Sequence, residues 1–300
     1  MLAKTYRLII LVIVFIPFFG SVQAQEIKQL CQLQNGSVML QDGRIHYFRV
    51  GSGRPVLLLH GLFAQKEQWA DFACQLSKAG LTAYAPDLPG YGQSTGFPIE
   101  SYRLSIQADL IFTFLEKLNL QRIDIAGNSM GGAISAIVAN KYPSSVKSIA
   151  FIGAPFGITD WSKQVKAAVD AGINPFIPIT IPQLALEMNL LFANPPKIDQ
   201  AVQESLIMQY QKNNRHYQQV WDIVNLDIAI LDNAASSPIP AFIVWGEKDG
   251  IFNISGKPLL DQKYPNRISY VATNAGHLIM LEKPKETVDL YSRFLKNLSN

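Results

Sequence analysis

The chain is poor in the residues that mark several kinds of protein. It has two cysteines and four histidines in 300 residues, and no His, Cys, Asp and Glu set has the spacing of a metal site. Charged residues make up 16% of the chain, 26 basic against 23 acidic. The basic residues are scattered and form no stripe, which argues against nucleic acid as a partner. There is no internal repeat and no low-complexity tract. What is present is apolar: 48% of the residues. That predicts a substantial core and no extensive disorder, in one large domain or one domain with an insertion.

The N-terminus has the layout of a secretory signal. Lys4 and Arg7 are positive, and Leu8 to Phe19 form an apolar run of 12 residues. That run is short for a membrane-spanning helix. Val22-Gln23-Ala24 offers small residues at the two positions a signal peptidase reads, so cleavage is expected before Gln25. The rival reading is an uncleaved anchor tilted into a membrane. Residues 1–24 carry no acid, so without them the balance is 24 basic against 23 acidic, or +1. Export is expected, to periplasm or medium in a bacterium. Cys31 and Cys74 can pair in an oxidising compartment, or stand as separate thiols with Cys74 a small apolar helix residue.

Hydropathy divides the rest into alternating elements. Ser37–Leu40 and Arg44–Val50 read as an antiparallel pair turning at Asp42-Gly43. Pro55–Leu59 is a continuous apolar run, as expected of a strand buried on both faces. Lys66–Ala79 reads as a helix, Leu81–Ala85 as a strand, and Ile99–Leu118 as a long amphipathic helix. Ile123–Ala126, Val146–Ile152, Ala241–Trp245 and Ile268–Val271 read as further strands, and Glu286–Leu298 as a closing helix. This alternation predicts an α/β fold, a mostly parallel doubly wound sheet with helices on both faces. It stops in residues 156–238, which read as a helical cap inserted between core segments 25–155 and 239–300. The middle of that insertion, from Ile173 to Phe192, is unusually apolar. Packing onto the core and lining a greasy substrate pocket both account for it.

Gly127-Asn128-Ser129-Met130-Gly131 reads G-x-S-x-G between the strand Ile123–Ala126 and a helix of small and apolar residues. A sharp strand-to-helix turn admits only small neighbours two residues to either side of the serine, and it lifts the hydroxyl clear of the sheet at a helix N-terminus. A serine nucleophile needs a base, and the base needs an acid to orient it. Of the four histidines, His46 lies in an early strand and His216 in a polar part of the insertion. His60 and His277 follow strands at the carboxyl end of the sheet, where active groups gather. His60 reads as a structural brace and His277 as the base. Asp249, in Trp245-Gly246-Glu247-Lys248-Asp249-Gly250, is the candidate acid, with Glu247 the local alternative. Asp124, inside the elbow strand, reads as a structural contact. His60-Gly61-Leu62-Phe63 supplies the candidate oxyanion donors. These are the N–H groups of Leu62 and Met130, with Phe63 as the alternative to Leu62. Phe63, Ile251, Leu278 and, from the insertion, Met188 are candidate pocket residues.

Leu59-His60-Gly61, Asp87 to Ser94, Gly127 to Gly132 and Asn274-Ala275-Gly276-His277 stand in an order that resembles the α/β-hydrolase superfamily over residues 37–298. The stretches His60 to Trp69 and Trp245 to Asp249, running into Ile254-Ser255-Gly256, resemble the monoacylglycerol-lipase branch and similar bacterial lipases. The resemblance implies a Ser-Asp-His carboxylic-ester hydrolase acting on acylglycerols or similar esters, with no cofactor and no metal. A small-molecule ester or lipid is the expected partner, with association at a membrane or lipid interface left open. Medium- or long-chain monoacyl esters are the expected substrates. A C–C bond hydrolase or a cofactor-free perhydrolase uses the same triad, and a non-catalytic binding protein on this scaffold is the alternative of another class. Dehalogenase and epoxide-hydrolase chemistry need a carboxylate where Ser129 stands.

Overall fold

The computed structural model describes residues 31–298; the expected signal segment lies outside them. Eight strands form one sheet: β1 (Gln34–Met39), β2 (Arg44–Gly51), β3 (Arg54–Leu59), β4 (Leu81–Pro86), β5 (Ile123–Ser129), β6 (Val146–Pro155), β7 (Ala241–Gly246) and β8 (Arg267–Ala272). Their order is β1-β2-β4-β3-β5-β6-β7-β8. The first two strands are antiparallel, and every pairing from β4 through β8 is parallel. The central strands are buried on both faces, with Val56, Leu57, Leu58 and Leu59 all at 0% exposure. That is why they read as continuous apolar runs rather than alternating ones.

Helices cover both faces. On one side lie α1 (Ala70–Lys78), α9 (Ile279–Glu282) and α10 (Pro284–Asn297), whose Phe72, Leu76, Tyr291 and Phe294 meet Val56, Leu58 and Phe242. On the other lie α2 (Leu104–Lys117) and α3 (Met130–Lys141), which bury Ile111, Phe114 and Ile134 against Leu57, Ile125 and Phe151. A short α8 (Lys257–Lys263) between β7 and β8 has no counterpart in the sequence reading. Two expected helices are interrupted. Lys66–Trp69 is a 3₁₀ turn leading into α1. The long helix expected over Ile99–Leu118 breaks at Arg103, whose ψ is 132°, between a 3₁₀ turn at Ile99–Tyr102 and α2.

Between β6 and β7 the chain forms α4 (Lys163–Asp170), α5 (Ile181–Leu191), α6 (Gln200–Lys212) and α7 (Asn214–Asn225). No strand occurs among residues 156–238. Ser162 caps α4 by accepting from the Val165 N–H, and Thr180 caps α5 by accepting from Gln183. These helices stand at the carboxyl end of the sheet, over the turns that follow β3, β5 and β7. The clearest anchor is Asp227, which accepts from the Arg103 guanidinium at 2.8 Å and from the Leu104 N–H at 3.1 Å. A carboxylate from the insertion therefore caps a core helix. Cys31 and Cys74 are joined by a disulfide, with Cα atoms 5.6 Å apart, a span ordinary for such a bond.

Candidate active site

Ser129 ends β5 and immediately precedes α3, with φ 51° and ψ −120°. A residue with a side chain rarely adopts this conformation. The flanking glycines show why the turn needs them. A Cβ at Gly127 would lie 2.3 Å from the Gly131 carbonyl, and one at Gly131 would lie 2.2 Å from the Leu59 carbonyl. Strand, elbow and helix can therefore pack this closely only without those side chains.

His277 follows β8 and Asp249 follows β7. His277 Nδ1 and Asp249 Oδ2 are 2.8 Å apart. The other carboxylate oxygen, Oδ1, accepts from the Ile251 and Phe252 N–H groups at 2.9 and 3.0 Å. Three donors thus fix a carboxylate that is itself buried. The Asp249 contact occupies Nδ1, leaving Nε2 as the ring nitrogen for any further contact of His277. Ser129 and His277 line one cavity, together with Leu62, Phe63, Ile251 and Leu278.

The loop after β3 lies against the elbow. A Cβ on Gly61 would be 3.4 Å from Ser129 Cβ and 3.3 Å from Asn128 Oδ1. The Ala64 N–H turns back to the Gly61 carbonyl at 3.3 Å, and Gln68 Oε1 accepts from the Gly61 N–H at 3.3 Å. Phe63 has φ 55°. Met130 is the first residue of α3, so its N–H has no intrahelical acceptor and is available to a ligand. His60 braces this loop. Its Nδ1 lies 2.8 Å from the Gly61 carbonyl, and its Nε2 accepts from the Leu88 N–H at 2.9 Å. The Leu88 donor requires Nε2 to be unprotonated, and burial lowers the imidazole pKa to about 4.

The remaining candidates fall away from the cavity. Glu247 accepts from the Asn274 N–H at 2.9 Å, and Lys248 reaches Asn274 Oδ1 rather than Glu247. Asp124 is held by the Arg54 guanidinium and the Ser148 hydroxyl. His216 Nε2 lies 3.1 Å from the Tyr102 hydroxyl. His46 contributes its backbone to Ser94 and Asp87. Met188 is a correction. It is buried with Leu184, Phe192 and Leu206 on the side of α5 away from the cavity. One residue is about 100° of helical rotation, and the cavity side of α5 instead carries Glu187 and Leu191.

Several cavity residues have no motif to mark them. Asn128, the variable residue of G-x-S-x-G, donates to the carbonyls of Ile152 and His277 at 2.8 and 3.1 Å, tying the elbow to the histidine loop. Phe156, Trp161, Phe176 and Tyr210 complete the aromatic wall. Glu187 carried a legible signal, as the single acid in the apolar run from Ile173 to Phe192. Among the described residues no group of three or more His, Cys, Asp or Glu side chains is placed to hold a metal ion.

The family model described as "alpha/beta hydrolase fold" matches residues 54–177 and 184–284. The chain is 28% identical over 265 residues to monoacylglycerol lipase ABHD6 of Rattus norvegicus, covering 84% of this chain and 78% of that protein. It is 29% identical over 283 residues to lipase 1 of Psychrobacter immobilis, covering 90% and 84%. The solved structure of a membrane phospholipase A, described as a bacterial virulence factor, superposes with a TM-score of 0.85. Its identity is 25%, over 94% of this chain and 92% of that one.

Proposed function

The chain belongs to the α/β-hydrolase family, and we propose that it is a carboxylic-ester hydrolase in which Ser129 is the nucleophile, His277 the base and Asp249 the acid that orients it. The observation that carries this reading is the strained Ser129 at the elbow, sharing a cavity with a His277 whose Nδ1 is already held by Asp249. His277 Nε2 takes the Ser129 proton as Oγ attacks the ester carbonyl, and Asp249 stabilises the imidazolium. The N–H groups of Leu62 and Met130 receive the oxyanion. The C–O bond then breaks, the alcohol leaves with the proton from His277, and water repeats the sequence on the acyl-enzyme.

The substrate we propose is a medium- or long-chain monoacyl ester. Support comes from the aromatic wall that α4 to α7 and their connections place over Ser129, and from the names of the lipase relatives. In this reading residues 156–238 are a lid. We also propose export from the cytoplasm, for which the Cys31–Cys74 disulfide is support. The test is kcat/KM on esters from C2 to C16, with Ser129→Ala as control. An optimum at C8 or longer, falling on the order of 10⁵-fold in the variant, is expected. An optimum at C2–C4 would contradict the substrate class, and activity surviving in Ser129→Ala would contradict the nucleophile.

A further inference from the structure

The turns that carry Asp249 and His277 are tied to the chain between β6 and β7, and helix α5 ends against both. Its Leu190 carbonyl accepts from the Gly250 N–H at 3.1 Å. Its Leu191 carbonyl accepts from the N–H groups of His277 and Leu278 at 2.8 and 3.3 Å. The last carbonyls of a helix have no partner within it, and here the two turns supply the partners. Ser162, the residue before α4, also holds the Asp249 turn. Its hydroxyl donates to the Gly250 carbonyl at 2.6 Å and its N–H to the Ile251 carbonyl at 2.9 Å.

One side chain closes this arrangement. Glu282, the last residue of α9, accepts from the Gly276 N–H at 2.6 Å through Oε2. Through Oε1 it accepts from the Ala193 and Asn194 N–H groups at 3.1 and 3.2 Å. Gly276 immediately precedes His277, and Ala193 and Asn194 follow α5. The approach is close. A Cβ on Gly276 would lie 2.6 Å from the Leu191 carbonyl, and one on Gly250 would lie 2.7 Å from the Leu190 carbonyl. Neither turn has room for a side chain where α5 ends. Glu282 does not border the cavity that contains Ser129 and His277. All three of its partners are N–H donors, so both of its oxygens must accept. A carboxylate does this, and an amide, with one oxygen and one NH₂, does not.

We propose that Glu282 is a positioning residue for ester cleavage: it locks the His277 turn to the end of α5, so that the imidazole keeps its place against Asp249 and Ser129. The proposal rests on the ester-hydrolase reading and adds to it that α5 is part of the scaffold of the reacting groups. A misplacement of about 1 Å costs on the order of a hundredfold in rate, so hydrogen bonds to the backbone beside the base are enough to matter. If α4 to α7 move as a lid, the end of α5 is the part that stays in place.

The test compares the wild type, Glu282→Ala and Glu282→Gln on an ester that the wild type cleaves, at a temperature where all are folded. The double variant Cys31→Ser with Cys74→Ser controls for stability lost away from the site. Glu282→Ala is expected to lower kcat about tenfold or more with KM within about twofold, because Glu282 acts on the base and not on the substrate. Glu282→Gln keeps an acceptor for one side of the contact and is expected to fall between Glu282→Ala and the wild type. The low-field ¹H NMR signal of the His277–Asp249 hydrogen bond should be shifted or lost in Glu282→Ala and retained in the disulfide-free control. Should Glu282→Ala not fold, Glu282→Gln decides, with a severalfold loss of kcat expected. Four results would each overturn the proposal while sparing the ester-hydrolase reading. They are an unchanged kcat, a loss carried by KM alone, an equal loss in the disulfide-free control, and a lower kcat with the low-field signal unmoved. No Ser129-dependent hydrolysis of any ester from C2 to C16 overturns both.

Discussion

His60 shows how much of the candidate site is held by residues that do not line the cavity. Its Nε2 must stay unprotonated to accept from Leu88, and burial holds the imidazole pKa near 4 against an ordinary 6.5. The unfolded chain therefore takes up a proton at pH values where the native state does not. The stability contributed by neutral His60 is complete above pH 6.5 and is lost as pH falls toward 4, by about 3 kcal/mol. Urea unfolding of the wild type and His60→Gln between pH 7 and 4 checks this, with a shallower pH dependence expected in the variant. Glu187, whose pKa burial pushes up to about 8, acts in the opposite sense over part of this range, but it is common to both proteins. At this scale the placement of Asp249 beside His277, and of His277 in one cavity with Ser129, was legible because each sits in a short turn whose neighbours are equally constrained. Met188 was misread because α5 is apolar almost all round. Hydrophobicity then says that a helix is buried without saying which residues face the cavity. Leu184 and Met188, four apart, share one face, and Glu187 and Leu191 share another.

At the scale of elements, the central strands β3, β5, β6 and β7 followed their apolar runs to within a few residues, because they are buried on both faces. The break before α2 was not legible. Ile99 to Leu118 keeps a helical pattern throughout, and the cause of the break lies 124 residues away in Asp227, which takes the Leu104 N–H and the Arg103 guanidinium. Arg103 is half-exposed, so the ion pair itself contributes little. The buried cap is the larger effect. Asp227→Ala is expected to lower unfolding stability by about 1–3 kcal/mol, measured by urea denaturation. Because Asp227 joins the insertion to the core, the variant should also loosen the position of α7, seen as faster amide exchange in α7 than in α3.

The whole molecule combines a rigid sheet with a helical insertion and a covalent tie across its first part. The Cys31–Cys74 disulfide closes a loop with a sequence separation of 43. Reduction, or Cys31→Ser with Cys74→Ser, is expected to lower stability by about 2–4 kcal/mol through the freedom regained by the unfolded chain. It should leave kcat/KM unchanged, because the bond joins the start of the sheet to α1, on the face opposite α2 and α3. Fold class was legible from the alternation of elements, which stops where α4 to α7 stand between β6 and β7. How α4 to α7 meet the core was not, since it depends on side chains such as Asp227 and Ser162, which reach Leu104 and Gly250 and follow no periodic rule. The most direct test of the whole is intact-protein and peptide mass spectrometry after treatment with a long-chain alkyl fluorophosphonate. One phosphonyl group per chain, located on Ser129 and matched by loss of ester hydrolysis, is the predicted result. Modification at another residue, or ester hydrolysis that persists once Ser129 is fully modified, would contradict Ser129 as the nucleophile.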